Sequence, residues 1–339
     1  MDIFSVGKKV IALILTVFLL LIIGGGLAGC NRQERPEPAP GPGGDGNGET
    51  AGGQTAAELW REEPTISLYL HEEDTTKELP LEEYLLGVVA AEMDPKWPRE
   101  ALAAQAILAR TFTLERINST GGVPERGTDA STDVEEFQAY DESRINDGVR
   151  QAVEETRGQV ATYQGRLIKA WFFADGGGKT AASAAEGLAY DKEETPYIHS
   201  VEDPGSAITE EGNKAWQASI PLAEAREKIR EFTGQDPGEI TAAEILETGE
   251  SGRATKVKAG SATLGGPSFR LALGSTEVKS AMITDLRVEG SVLVVEGKGY
   301  GHGVGMSQWG ARAMAEEGKS AAEIIQYFFK DVEVEKLYE

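Results

Sequence analysis

Cysteine is almost missing from this 339-residue chain: Cys30 is the only one, so no internal disulfide can form and any folded part must be held by its own core. Histidine is nearly as scarce. His71, His199 and His302 lie far apart with no thiol beside them, which argues against the usual His/Cys metal sites. No ordered Asp/Asn/Gly loop of the calcium-binding kind occurs, although so acidic a chain leaves an oxygen-only site as an option. No metal and no other cofactor is expected. Basic residues are outnumbered 33 to 56 by acidic ones, and the net charge of −23 would repel phosphates, so a nucleic-acid partner is not expected. That charge says little about an uncharged glycan. Internal repeats are also absent.

The long apolar run is confined to the N-terminus. Lys8 and Lys9 precede Val10–Ile23, and small residues follow as far as Cys30. A charged start, a short apolar stretch and small residues before a cleavage point make an export signal, here residues 1–29. Leu27-Ala28-Gly29-Cys30 has the form of a lipobox, with Cys30 lipidated as the mature N-terminus. The competing reading is an uncleaved anchor, because Val10 to Ala28 approaches the ~20 residues that span a bilayer. Both readings place the folded part on the extracytoplasmic face of the membrane, and the lipoprotein is the preferred one. Residues 30–63 are rich in Pro, Gly and acidic side chains and read as a tether reaching roughly 25–30 Å. The folded domain is expected at 64–339, long enough for a proper core.

Within it, Gly297 to Gly310 reads GKGYGHGVGMSQWG, with glycine at every other position up to Gly305. Each interior Gly costs a helix roughly 1 kcal/mol, and a strand gains few side chains to pack from such a run. Glycine gives access to positive φ and lets backbone approach other groups closely. The side chains between, including Tyr300, His302, Ser307, Gln308 and Trp309, can hydrogen-bond or stack. The run is therefore either one wall of a ligand site or a turn joining a strand to a helix.

A second feature lies upstream. Leu81, Tyr84/Leu85 and Val88/Val89 recur at helical spacing and define a buried stripe. Continuing the stripe reaches Glu92. Glu82 and Glu83 sit at the helix start, where carboxylates suit the dipole without any functional reason. Glu92 stands where the pattern calls for an apolar residue, and burial there would keep it protonated near neutrality, as a general acid requires. The alternative is a helix-end Glu that turns out to solvent before Asp94-Pro95. A second helix runs from about Arg99 to Ile117, and its stretch from Ala101 to Leu114 is apolar except for Gln105, Arg110 and two threonines. Arg110 in such a helix must be paired; a direct contact with Glu92 would lower that pKa, so support through hydrogen bonds is expected.

Leu167 to Thr180 reads as an apolar strand running into another Gly-rich loop, with Asp175, Lys179 and Thr180 as its polar groups. An amphipathic helix begins near Leu222, and Ile283 to Val295 alternates as strands. After the glycine run, Ala311–Glu317 and Ser320–Phe329 read as helices, the second with a Ser320/Glu323 capping box. This mixture gives an α+β fold, with two lobes around a cleft and an accessory lobe within about 201–290.

Together the motifs resemble the stage II sporulation protein D family, which includes amidase enhancers. Glu83-Tyr-Leu-Leu-Gly-Val-Val-Ala-Ala-Glu-Met93 is similar to the family's leading helix, and Ala101-Leu-Ala-Ala-Gln-Ala-Ile-Leu-Ala-Arg-Thr-Phe112 to the next. Gln138-Ala-Tyr140, Glu155-Thr-Arg-Gly158, Gly177-Gly178 with Thr180, Ser251-Gly-Arg253, Ser268-Phe-Arg270 and Gly301-His-Gly-Val-Gly-Met-Ser-Gln308 follow in the family's order. The likeness runs from Leu79 to Lys336. It implies a peptidoglycan-active domain with the essential acid carried onto Glu92 and its neighbours onto Arg110, His302, Ser307 and Gln308. Two positions depart. Some relatives bind zinc through a His-Cys pair where this chain has Glu136-Phe137, and many begin the glycine loop with Ser or Cys where this one has Asp175-Gly176. Zinc is therefore not expected, and the loop facing substrate is expected to be tuned differently.

The activity so implied is lytic transglycosylation of peptidoglycan glycan strands between MurNAc and GlcNAc. Ordinary glycosidases need two carboxylates; here one suffices, because the sugar's own 6-hydroxyl closes a 1,6-anhydro ring. Glu92 would act as acid and then base, in sporulation or other wall remodelling, with a cell-wall amidase or sporulation membrane proteins as partners. The rival is a non-catalytic glycan-binding module that stimulates a separate amidase. A serine hydrolase built on His302 and Ser307 is disfavoured, since no Gly-x-Ser-x-Gly elbow and no evident acid partner occur.

Overall fold

The computed structural model describes residues 54–339. The export signal, Cys30 and most of the tether lie outside the described residues. Packing begins ahead of residue 64. The one-turn helix Ala56–Leu59 buries Ala56, whose N–H donates to the Gly165 carbonyl at 2.9 Å. Glu63 pairs with Arg157 and accepts the Glu82 N–H at 2.9 Å. Among the described residues, no helix is long and apolar enough to cross a membrane.

Strands β1 (Thr65–Leu70) and β2 (Thr75–Pro80) form an antiparallel hairpin. It feeds directly into α1 (Leu81–Glu92), and then α2 (Arg99–Thr120) follows. The stripe expected on α1 is fully buried at Leu81, Tyr84, Leu85, Val88 and Val89. The helix ends at Glu92, with Met93 already extended just ahead of Asp94-Pro95, where proline disfavours helical geometry in the residue before it. Helix α2 is buried without a break from Ala101 to Glu115, as expected of a helix that is apolar all round. Thr111 and Thr113 return their hydroxyls to the Ile107 and Ala109 carbonyls, so they enter the core satisfied. Strand β3 (Ala130–Ser131) joins β1 in parallel. Then come α3 (Asp147–Glu155), β4 (Gln159–Tyr163), β5 (Arg166–Leu167) and β6 (Phe172–Phe173). The single strand expected after Leu167 is thus two short pieces, because β5 pairs with β4 whereas β6 pairs with a different partner.

The chain next builds β7 (Trp216–Pro221), α4 (Leu222–Thr233), β8 (Ala243–Thr248), β9 (Ala254–Ala259), β10 (Ala262–Gly265), α5 (Gly266–Leu273), β11 (Ile283–Glu289) and β12 (Val292–Gly297). Two antiparallel three-stranded sheets result, β10-β9-β8 and β11-β12-β7. Their apolar faces and the two helices make a separate hydrophobic cluster around Phe269, Ile229, Val257 and Leu293. The chain then returns to the first cluster through β13 (Met306–Ser307), α6 (Gln308–Glu316), α7 (Ala321–Phe328) and β14 (Glu333–Lys336). The fold is α+β, as the pattern indicated.

The glycine run is this return crossing. It leaves β12 and ends at β13, which pairs in parallel with β6. Between them, Tyr300 exchanges backbone hydrogen bonds with Asp175, and the Gly301 N–H donates to Lys279 at 2.9 Å. At Gly303, φ is +85° and a Cβ would collide with the Arg253 guanidinium; at Gly305, φ is +82° and a Cβ would meet the Trp171 carbonyl. At these two positions the close approach that glycine permits is to the protein itself.

Candidate active site

Glu92 occupies the last turn of α1, with its carboxyl turned inward. Oε1 accepts the Ala139 N–H at 2.9 Å. Gly87 makes that contact reachable. A Cβ there would collide with the Tyr140 ring, which instead stacks on Tyr84 with centroids 5.7 Å apart and planes 9° from parallel. The Asp141 N–H donates to the Gly87 carbonyl at 3.1 Å. The segment Gln138–Tyr140 therefore lies flat along α1. Its far side is tied to α2: Gln138 Nε2 donates to Thr113 Oγ1 at 2.9 Å, and Phe137 packs edge-on against Phe112. A mid-helix glycine costs about 1 kcal/mol, and here it brings a backbone donor to a carboxyl.

From the other side comes Gln308. Its Nε2 donates to the Glu92 backbone carbonyl at 3.1 Å and lies 3.5 Å from Gln105 Oε1. Arg144 completes the end of α1 by donating to the Ala91 and Met93 carbonyls. Burial drives the Glu92 pKa up to about 7, against the smaller opposing effects of the Ala139 N–H and the Gln308 amide. No ionised neighbour among the described residues enters that balance. A carboxyl raised by desolvation, with no cation paired to it, can hold its proton near neutrality and release it without breaking an ion pair.

The other expected site residues divide. Gln308 touches Glu92, and Trp309 follows it, half-buried. Ser307 is fully buried as the N-cap of α6: its hydroxyl accepts the Gly310 N–H at 3.0 Å and lies 3.2 Å from the Ala174 carbonyl. That cap starts α6 at Gln308, three residues before the expected start. Arg110 is likewise at 0% exposure, with Nε and Nη2 on the two Glu82 oxygens at 2.8 and 2.6 Å and Nη1 on the Gln159 carbonyl. A guanidinium so enclosed has no face for a sugar, and both Arg110 and Ser307 leave the substrate-contacting set. Burial raises the Glu82 pKa, but the Arg110 fork, the Tyr338 hydroxyl and the Gly158 N–H outweigh it and hold the carboxyl below its usual value. The helix-start Glu that seemed to need no reason is the partner Arg110 required.

His302 accepts the Val304 N–H on Nδ1 at 3.0 Å, and its ring also hydrogen-bonds the Phe172 backbone. Burial and the nearby Arg270 depress its pKa to about 3, so the imidazole is neutral. It pins the glycine run to β6. Tyr300 is half-buried, with the Lys279 ammonium 5.5 Å over its ring. Asp175, at the altered loop, is 1% exposed and accepts from Gly177 and Ser206, so it faces the interior. At the other departure, Glu136 pairs with Arg126 and accepts from Ser131. An open cleft of about 650 Å³ lies at the N-terminal end of α1, walled by Glu63, Glu83, Arg150 and Glu154; Glu92 does not line it.

Comparison with known proteins adds the decisive observation. The family model for SpoIID, Stage II sporulation protein, matches residues 69–163, which span α1, α2 and the Gln138–Tyr140 segment. The Stage II sporulation protein D of Bacillus amyloliquefaciens is 32% identical over 301 residues, covering 84% of this chain and 82% of that protein. The chain belongs to the stage II sporulation protein D family. The family's protein from Bacillus subtilis (strain 168) is 30% identical over 293 residues, covering 80% of this chain and 78% of its own length. An amidase enhancer of the same organism is 29% identical over 291 residues, 72% of this chain but 39% of that longer protein.

Two participants escaped the sequence reading. The Ala139 N–H has no side-chain signature, although Gln138-Ala-Tyr140 marked its neighbourhood. Trp97 sits half-buried against Trp309, with ring centroids 4.9 Å apart. An aromatic between two prolines, five residues past Glu92, was the signal available.

Proposed function

We propose that this family member is a lytic transglycosylase that cleaves peptidoglycan glycan strands between MurNAc and GlcNAc, with Glu92 as its acid and base. The observation that carries the reading is a single carboxyl raised by burial to about 7 with no charged partner. Protonated, it gives its proton to the glycosidic oxygen as the C–O bond breaks. Ionised, it takes the proton of the 6-hydroxyl as that oxygen bonds to the anomeric carbon and closes the anhydro ring. The proton count balances without water. Gln308 and the Ala139 N–H fix the carboxyl for both steps. Peptidoglycan strands are the substrate in this reading, with the domain lipid-anchored through Cys30 outside the cytoplasmic membrane.

The amidase enhancer among the relatives favours a second reading, a glycan-binding module that stimulates a cell-wall amidase. Purified glycan strands freed of stem peptides separate the two. The transglycosylase reading expects anhydro-ended products from the wild type and none from Glu92→Gln. Strands that bind yet stay full length, with or without an amidase, would refute it. Reducing-end products would instead indicate a hydrolase.

A further inference from the structure

Two indoles and a guanidinium cluster on the two segments that flank Glu92, the turn after α1 and the start of α6, and the mechanism above does not use them. Trp97 lies in the turn after α1, where its backbone N–H donates to the Asp94 carbonyl at 2.9 Å. Pro95 and Pro98 restrict the turn on both sides. Trp309 follows Gln308, whose amide holds the Glu92 carbonyl. The two rings are 4.9 Å apart and tilted by 58°. Arg312, one turn along α6, lies over both, 5.1 Å from the Trp309 centroid and 5.4 Å from that of Trp97. Its Nε is engaged by Glu316 at 2.8 Å, so its part is to hold the rings. Trp171 and Trp216, by contrast, are buried in the two cores. Trp97, Trp309 and Arg312 are all half-buried.

Large rigid rings left partly in water, fixed by a cation and by proline, present flat apolar area at little entropic cost. Such a surface suits the C–H face of a pyranose ring. The strongly acidic chain needs no charge on that ligand. We propose that Trp97 and Trp309 form a sugar-stacking subsite that holds the N-acetylated amino sugar next to the bond presented to Glu92, with Arg312 as a positioning residue. The inference rests on the glycan reading of Glu92 and names the surface that grips the strand.

Binding is measured in the Glu92→Gln protein, where nothing is turned over. The probes are peptide-free peptidoglycan oligosaccharides and, separately, N-acetylglucosamine oligomers, read by calorimetry and tryptophan emission. Trp97→Ala and Trp309→Ala should each raise Kd about tenfold, as loss of an aromatic anchor does. Trp97→Phe should recover most of the affinity and guards against misfolding. Arg312→Ala should raise Kd several-fold, with partial rescue by Arg312→Lys, whose ammonium still faces the rings. Unchanged Kd in both tryptophan variants, or no binding of either probe at millimolar concentration, overturns the subsite. The two proposals fail separately: tryptophan-dependent binding without cleavage by the wild type keeps the subsite and sinks the transglycosylase. Cleavage whose Kd and KM ignore both tryptophans does the reverse.

Discussion

Glu92→Gln should make the folded protein more stable, and increasingly so as pH rises. The folded carboxyl titrates at about 7 against an ordinary value of 4.5. Between those values the unfolded chain has released this proton while the folded chain keeps it. Wild-type stability therefore falls as pH rises through that window, and the full cost is present above it. Linkage gives a cost of about 1 kcal/mol at pH 5 and about 3 kcal/mol at pH 8. The glutamine side chain keeps an oxygen for the Ala139 N–H and carries no ionisable proton. The stability gap between variant and wild type should thus widen by about 2 kcal/mol from pH 5 to pH 8. This is an upper figure, because Glu92 keeps a partly exposed edge. Urea unfolding of both proteins at the two pH values measures it. A gap that ignores pH would mean a solvated carboxyl, and the acid role would lose its physical basis. The same pKa sets the activity: a required protonated acid makes kcat/KM fall as pH rises through about 7.

Other residues give sharper contrasts. Arg110→Ala leaves Glu82 buried and unpaired, so a loss of roughly 3–5 kcal/mol is expected in denaturant melts; an intact fold with only KM raised would restore Arg110 to the substrate. Ser307→Ala removes the α6 cap and should cost about 1 kcal/mol, with the Glu92 pH profile unmoved. Gln308→Ala should lower kcat and displace the pH at which activity falls, since it frees the end of α1; an unshifted profile would confine Gln308 to packing. Gly87→Ala drives a methyl into the Tyr140 ring and should move the Ala139 N–H away, read as a change in the Glu92 titration by NMR.

Much of this was legible in one dimension. The 3.6-residue period of Leu81 to Val89 named a buried face, and a Glu placed on that face could only be desolvated or expelled; which of the two depended on the chain brought against it. Ser320 with Glu323 marked a helix start because capping is local chemistry, and the structure has both hydrogen bonds. Alternating glycines announced irregular backbone at close quarters, and four of them, at Gly299, Gly301, Gly303 and Gly305, do have positive φ. The partners were not legible. Arg110 had to be paired, but Glu82, 28 residues earlier, was hidden among carboxylates with an adequate local reason to be there. The intimacy of the glycine run, which suggested a ligand, belongs to Arg253 and Trp171. Ser307 and His302 resembled site groups by type and proved to be a cap and a pin, since a hydroxyl and an imidazole serve backbone donors as readily as sugars.

Sequence by itself determined helices α1, α2, α4 and α7, the α+β class, the family and the position of the anomalous carboxyl, because each follows from local periodicity, capping, motif order or residue type. Tertiary structure alone decided which backbone amide meets Glu92, which glutamine holds its helix end and which two tryptophans meet each other. Those contacts join residues 47 and 216 positions apart, and only packing of the whole chain specifies them.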